Sequence, residues 1–163
     1  MILVILGTQN MPFTRLLNAI QKEVDKGNLN DEIIVQAGVT KFESPNMKVF
    51  DLIPGHEFDE LVKTADLVIT HAGVGSILGA ITNGKTVIAA ARDEKYGEHV
   101  NDHQLQIIEN FANNGYILEL SNFDELDKIL KKTKNFIPKK YKSNTKKFIK
   151  LVEKEIGQLC KKF

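Results

Sequence analysis

Six short apolar runs, most of them separated by a helix-length amphipathic stretch, limit what this chain can fold into more than any other feature. Ile2 to Leu6 is continuously apolar and stops at Gly7, the pattern of a strand buried on both faces. Further strands are read at Glu32–Ala37, Met47–Ile53, Leu67–Thr70, Val87–Ala91 and Tyr116–Leu120. Between them, Phe13–Lys26 places Phe13, Leu16, Leu17, Ile20 and Val24 at helical spacing, with Pro12 just ahead and Gly27-Asn28 as the stop. Shorter helices are read at Glu57–Thr64, Ser76–Thr82, Asn101–Asn113 and Phe123–Lys132, with Asn114-Gly115 closing the third. Strands alternating with helices, mostly without hairpin turns, predict an α/β fold. The expected architecture is a Rossmann-like, mostly parallel sheet flanked by helices, built as one domain over residues 1–163.

Charge is divided unevenly along this chain. Residues 1–130 carry ten Lys/Arg against nineteen Asp/Glu, whereas residues 131–163 carry twelve Lys against Glu153 and Glu155. After Pro138, a lysine-rich helix is expected over about 141–162, with Phe148, Leu151, Val152, Ile156 and Leu159 as its apolar stripe. Such a tail suits an anionic membrane surface, an acidic partner, or the acidic body of the same chain. Cys160 is the single cysteine, which excludes an internal disulfide and a cysteine metal cluster and fits a reducing, cytoplasmic setting. No apolar run approaches the length of a membrane span, and Met1 to Leu6 lacks the basic start of a secretory signal.

Leu67 to Gln104 holds the residues with chemistry. A strand leads into His71-Ala72-Gly73-Val74-Gly75-Ser76 and then a helix, an arrangement that offers free backbone N–H groups to a diphosphate. Ser76 is read as the helix cap and as a donor to a phosphate oxygen. The next strand leads to Arg92 and then Glu98-His99-Val100-Asn101-Asp102-His103-Gln104, whose mixed donors and acceptors suit sugar hydroxyls. Both clusters fall at the carboxyl ends of strands, where ligands bind in such sheets. Together they point to a nucleotide sugar.

Competing motifs are weaker. Gly79 to Thr86 matches the P-loop letter for letter, but a helix precedes it and a strand follows, the reverse of the required order. Gly7-Thr8-Gln9-Asn10-Met11 does not supply a dinucleotide fingerprint, and Ser76-Ile77-Leu78-Gly79 does not complete a nucleophile elbow. His99 and His103 are spaced as zinc ligands could be, yet Val100 stands where the metalloprotease motif needs glutamate. No metal and no other cofactor is expected, and no nucleic acid partner.

On Thr70 to Ser76, the Arg92 segment and Glu98 to Gln104, the chain resembles the C-terminal, donor-binding domain of GT-B glycosyltransferases of family 28. It is most similar to stand-alone half-enzymes, such as the cytosolic subunit of the dolichol-linked chitobiose synthase. Bacterial capsule and exopolysaccharide subunits that work beside a membrane-bound partner are more similar still. Gly7-Thr8 with Pro12-Phe13 and Leu16 also fits that group. The resemblance implies half of a GT-B fold and inverting, metal-free transfer of galactose or N-acetylglucosamine from a UDP-sugar. The acceptor would be a lipid-linked saccharide held by a membrane-anchored partner subunit. It places the diphosphate at Gly73, Gly75, Ser76, Gly7 and Thr8, and the donor sugar at Glu98, His99, Asn101, Asp102, His103 and Gln104. Ile53 and Arg92 would serve the nucleoside, with Pro54 beside the base. Gly79 stands where related enzymes carry a ribose-binding glutamate. His71 and His99 are candidates for the general base, and the partner's half of the cleft is the other possible source. A non-catalytic subunit that only activates its partner is the competing expectation.

Overall fold

The computed structural model describes residues 1–101, 103–143, 149–150 and 152–153. Six strands form one parallel sheet: β1 (Ile2–Ile5), β2 (Ile33–Gln36), β3 (Met47–Phe50), β4 (Leu67–His71), β5 (Thr86–Ala90) and β6 (Leu118–Glu119). Their spatial order is β3-β2-β1-β4-β5-β6. They are accompanied by α1 (Thr14–Asp25), α2 (Gly55–Thr64), α3 (Val74–Thr82), α4 (His103–Asn113) and α5 (Leu126–Thr133). The sequence expectation of a parallel, Rossmann-like sheet is met.

The period-two rule explains how so short a strand as β1 serves two cores. Ile2, Val4 and Leu6 enter one cluster with Phe13, Leu16, Leu17 and Ile20 beside α1 and Leu126 of α5. Leu3 and Ile5 enter the other, with Val62 of α2, Ile77, Ala80 and Ile81 of α3, and Ile108 of α4. Burying each such aliphatic side chain contributes about 1.5–3 kcal/mol. That is why an unbroken apolar run, rather than an alternating one, marks the central strands.

β1 and β4 lie side by side, with Ile5 paired to Thr70, but their connections leave in opposite directions. From β1 the chain crosses through α1 to β2, and from β4 it crosses through α3 to β5. The divergence opens a crevice at the carboxyl ends of these two strands.

Element boundaries depart from the sequence reading in instructive ways. β3 ends at Phe50, three residues before the expected Ile53, because the Ile53 N–H is taken by the Gln36 side chain at 3.0 Å instead of a strand partner. β6 shrinks to Leu118–Glu119, since Tyr116 N–H donates back to Phe111 O at 3.0 Å in the helix-end turn. α2 opens at Gly55, and α3 opens at Val74 with Gly73 as its cap, so Ser76 sits inside the first turn and is not the cap. α4 begins at His103, capped by Asn101, whose Oδ1 accepts from His103 N–H at 3.1 Å. A 3-10 turn at Phe123–Glu125 precedes α5, where a continuous helix was expected. The P-loop reading is removed: Gly79 lies within α3, and Thr86 opens β5.

After α5 the chain crosses the amino edge of the sheet. Lys139 N–H donates to Gly115 O at 2.9 Å, and the Tyr141 ring meets Tyr116 edge-on at 5.6 Å. Residues 141–143 are not helical, and most of the basic helix expected over about 141–162 lies outside the described residues.

Phe13 anchors the first core: it is fully buried, edge-on to Phe123 at 6.1 Å, and its N–H donates to Thr40 Oγ1 at 2.9 Å. Phe13→Ala should destabilise the fold by about 3–5 kcal/mol in a denaturant titration. A loss below about 1 kcal/mol would show that this position is not a core anchor.

Candidate functional site

The crevice at the β1–β4 junction is an open cleft of about 390 Å³ lined by Gly7, Thr8, Gln9, Gln36, His71, Gly73, Gly75 and Ser76, with Ile5 and Phe58 beneath. Its floor is the start of α3. The first helical hydrogen bond runs from Ile77 N–H to Gly73 O at 3.0 Å. The N–H groups of Val74, Gly75 and Ser76 therefore have no helical acceptor and face the rim. With the positive end of the helix dipole, they form a ready anion site. All five residues read as diphosphate ligands line this cleft: Gly7, Thr8, Gly73, Gly75 and Ser76.

His71 fixes the spacing of the cradle. Its imidazole is wedged between the turn after β1 and the turn after β4. A Cβ on Gly7 would stand 2.6 Å from the ring, and one on Gly73 would stand closer still. Gly7 also has φ +77°, so only glycine meets both demands. Nδ1 lies 3.3 Å from Ile5 O, a pure acceptor, so Nδ1 carries the proton and Nε2 is bare. Burial pushes the His71 pKa down to about 4, against the pull of the Ile5 carbonyl and with help from nearby Arg92 and His99. His71 is a neutral imidazole at physiological pH.

The second polar cluster reaches the same rim. His99 Nδ1 lies 2.9 Å from Asn101 O, and His99 Nε2 lies 3.2 Å from Gln9 Nε2. The Asn101 N–H reaches the same Nδ1 at 3.2 Å, so the Asn101 backbone holds one side of the ring and the Gln9 amide the other. Gln9 belongs to the loop that packs on His71, so this one loop joins the glycine turn to the Glu98–Gln104 segment. Asn101 and His103 are exposed at the start of α4, and Asp102 lies outside the described residues.

Three residues read as ligands are turned inward instead. Glu98, 4 % exposed, takes a two-pronged bond from Arg15: Nε to Oε1 at 3.0 Å and Nη2 to Oε2 at 2.6 Å. Gln104 is buried, its Oε1 accepting from Arg92 N–H at 3.1 Å. Arg92 is 1 % exposed and donates to Leu6 O, Met11 O and Glu98 O, tying the loop after β1 to the loop after β5. Burial draws its pKa below the usual guanidinium value while Glu98 pulls the other way. Its Nε has no partner among the described residues. Arg92 thus stands behind the cleft as a buried cation.

Ile53, read as a nucleoside contact, is buried, and its backbone is held by Gln36. Next to it, Phe50, Leu52, Pro54 and His56 line an apolar groove of about 480 Å³. Gln36 joins this groove to the cleft. A Cβ at Gly79 would meet nothing within 4 Å, so that face of α3 is open. Sequence reading missed Gln9, Arg15 and Gln36. Polar side chains near strand ends and on a helix carry no signal of partners 83 or 90 residues away.

The depressed His71 pKa has a stability consequence. The unfolded chain binds a proton at about 6.5, whereas folded His71 resists it until about 4. Its contribution is therefore complete above pH 6.5 and lost as pH falls toward 4, by up to about 3 kcal/mol. Denaturant titrations across that window should show a shallower slope for His71→Gln than for the parent. Equal slopes would mean that the imidazole is not held neutral.

Comparison with known proteins agrees with this fold. The glycosyltransferase family 28 C-terminal domain matches residues 1–159. The UDP-N-acetylglucosamine transferase subunit ALG13 of Candida albicans is 24 % identical over 106 residues, 65 % of this chain and 34 % of that protein. The subunit of the same name from Debaryomyces hansenii is 30 % identical over 84 residues, 52 % of this chain and 39 % of that protein. The matched stretch is thus well under half the length of either relative. Among solved structures, an ALG13 solution structure superposes with TM-score 0.58 at 21 % identity, covering 87 % of this chain and 89 % of that one. The MurG crystal structure from Acinetobacter baumannii gives TM-score 0.58 at 16 % identity, covering 81 % and 41 %. These likenesses show the fold, half of a GT-B glycosyltransferase. On the family match across nearly its whole length, the chain belongs to glycosyltransferase family 28, as a C-terminal domain of that family.

Proposed function

We propose that this domain is the donor-binding, catalytic half of an inverting hexosyltransferase that takes its sugar from a UDP-hexose. The observation that carries the reading is the loop from Gly7 to Gln9. It packs on His71 at one end and hydrogen-bonds His99 at the other, so both polar clusters share one rim. The diphosphate would lie on the N–H groups that open α3, with Gly7, Thr8, Gly73, Gly75 and Ser76 around it. His99, Asn101, Asp102 and His103 would face the hexose, with Glu98 and Gln104 shaping the loop from within. The uracil would enter the groove beside Ile53 and Pro54.

Departure of UDP concentrates negative charge at the start of α3. The free N–H groups, the helix dipole and buried Arg92 oppose it there without a metal. Acceptor attack releases a hydroxyl proton to a general base. The bare Nε2 of His71 and the imidazole of His99, released by Gln9, are the acceptors offered among the described residues, and a partner's half of the cleft is the other source.

N-acetylglucosamine is favoured as the donor sugar by the names of the fungal relatives, and galactose remains the competing hexose. Those relatives are called subunits, which supports work beside a second chain. We place that chain at the membrane, holding a lipid-linked saccharide of a polysaccharide pathway, capsule or exopolysaccharide included. This domain would sit at the cytoplasmic face, docked through its basic tail. No helix among the described residues is long and apolar enough to cross a membrane.

Calorimetry should detect UDP binding by the isolated chain without added metal. His103→Ala should lower transfer by the reconstituted pair about tenfold or more while UDP binding persists. Unchanged transfer would favour a subunit that only activates its partner. Absence of UDP binding would remove the donor-site reading.

A further inference from the structure

The loop from Ala91 to Asn101 carries His99 and Asn101 and leads into the other side chains assigned to the donor sugar, yet it contains little regular structure beyond a 3-10 turn at Glu94–Tyr96. A loop of that kind needs something to hold its shape. Arg15 ties its two ends together. Besides the two-pronged bond to Glu98, its Nη2 donates to Ala91 O at 3.3 Å, so one guanidinium spans the loop from its first residue to Glu98. Glu98 Oε2 also accepts from Asp93 N–H at 3.1 Å. The guanidinium is stacked as well: its Cζ lies 3.9 Å from the Phe123 ring centroid and 4.4 Å from that of Tyr96.

This geometry differs from that of an ordinary surface ion pair. Arg15 projects from α1, whose neighbouring Leu16 and Leu17 are fully buried, so its base is fixed. Every hydrogen bond its side chain makes among the described residues goes to the loop. It does not line the cleft. Its planar fork matches the carboxylate in a way that a lysine cannot.

We propose that Arg15 is a positioning residue for recognition of the donor sugar. It clamps the loop so that His99 meets Gln9 and Asn101 caps α4, which presents the sugar-facing side chains on the same rim as the glycine turn. The role rests on the reading of this loop as the hexose-binding element. Diphosphate capture, built on β1, β4 and α3, does not depend on the clamp.

Hydrogen exchange of the full chain and calorimetry with UDP and UDP-N-acetylglucosamine test the proposal. In Arg15→Met, exchange over 93–101 should quicken about tenfold or more while β1, β4 and β5 keep their protection. Affinity for UDP-N-acetylglucosamine should fall about tenfold, with affinity for UDP unchanged. Arg15→Lys should behave like Arg15→Met, because charge without the fork does not rebuild the clamp. Glu98→Gln breaks the pair from the loop side and should quicken the same segment, should the Arg15 variants not fold. Loop protection that survives in these variants overturns the proposal, as does a loss spread evenly over the sheet. If the parent binds neither nucleotide while the loop still quickens in Arg15→Met, the clamp stands and the donor reading falls.

Discussion

Everything at the functional rim depends on β1 and β4 being hydrogen-bonded neighbours whose crossovers diverge. Two parallel strands that both fed helices on the same side would have their ends covered. Here α1 leaves toward one layer and α3 toward the other, and the gap between them is a consequence of topology rather than of any particular side chain. What the residues decide is how wide that gap stays. His71 fills its depth, and Gly7 and Gly73 leave just enough room for the ring. An imidazole is a good spacer for this purpose, since it is rigid, planar and, when neutral, tolerable in a buried place.

Two arginines then decide how the loops around the gap are arranged. Arg92 gathers the carbonyls of Leu6, Met11 and Glu98, and Arg15 gathers Ala91 and the Glu98 carboxylate. Backbone carbonyls at irregular strand ends lack sheet partners and would be costly to bury alone. A guanidinium satisfies several at once from one point. The rim is therefore stiffened from below by charged groups that do not line the cleft.

That arrangement explains which parts of the site could be read in the sequence. The fold was legible because Ile2–Leu6, Leu67–Thr70 and Val87–Ala91 are short, apolar and bounded, and because helix spacing at Phe13 to Val24 is unambiguous. The glycine turn was legible too, since an apolar strand running into Gly73 and a helix start marks a strand-to-helix turn at the sheet edge. Strand ends were less so: Gln36 captures Ile53 and cuts β3 short, a long-range bond with no local mark. Arg92, Glu98 and Gln104 look like ligands because polar residues near a strand end usually face water or substrate. Only coordinates show that each has a partner in the protein: a carbonyl, a guanidinium and an N–H group respectively. The capping role of Asn101 was hidden likewise, because a helix start cannot be placed within two residues by pattern alone.

Electrostatics completes the account of why the cleft is built from backbone. Residues 1–130 carry nine more acidic than basic side chains, an unfavourable setting for an anionic diphosphate. Yet no charged side chain lines the cleft among the described residues. Screening over about 8 Å at physiological salt weakens the distant carboxylates and leaves the nearest dipoles and charges in control. Those are the free N–H groups of α3 and the buried guanidinium of Arg92, held where water cannot weaken them. Lysines on flexible stems would gain less and lose more entropy on binding. Lysine is concentrated in 131–163, away from this rim along the sequence, which leaves the cleft itself to fixed dipoles.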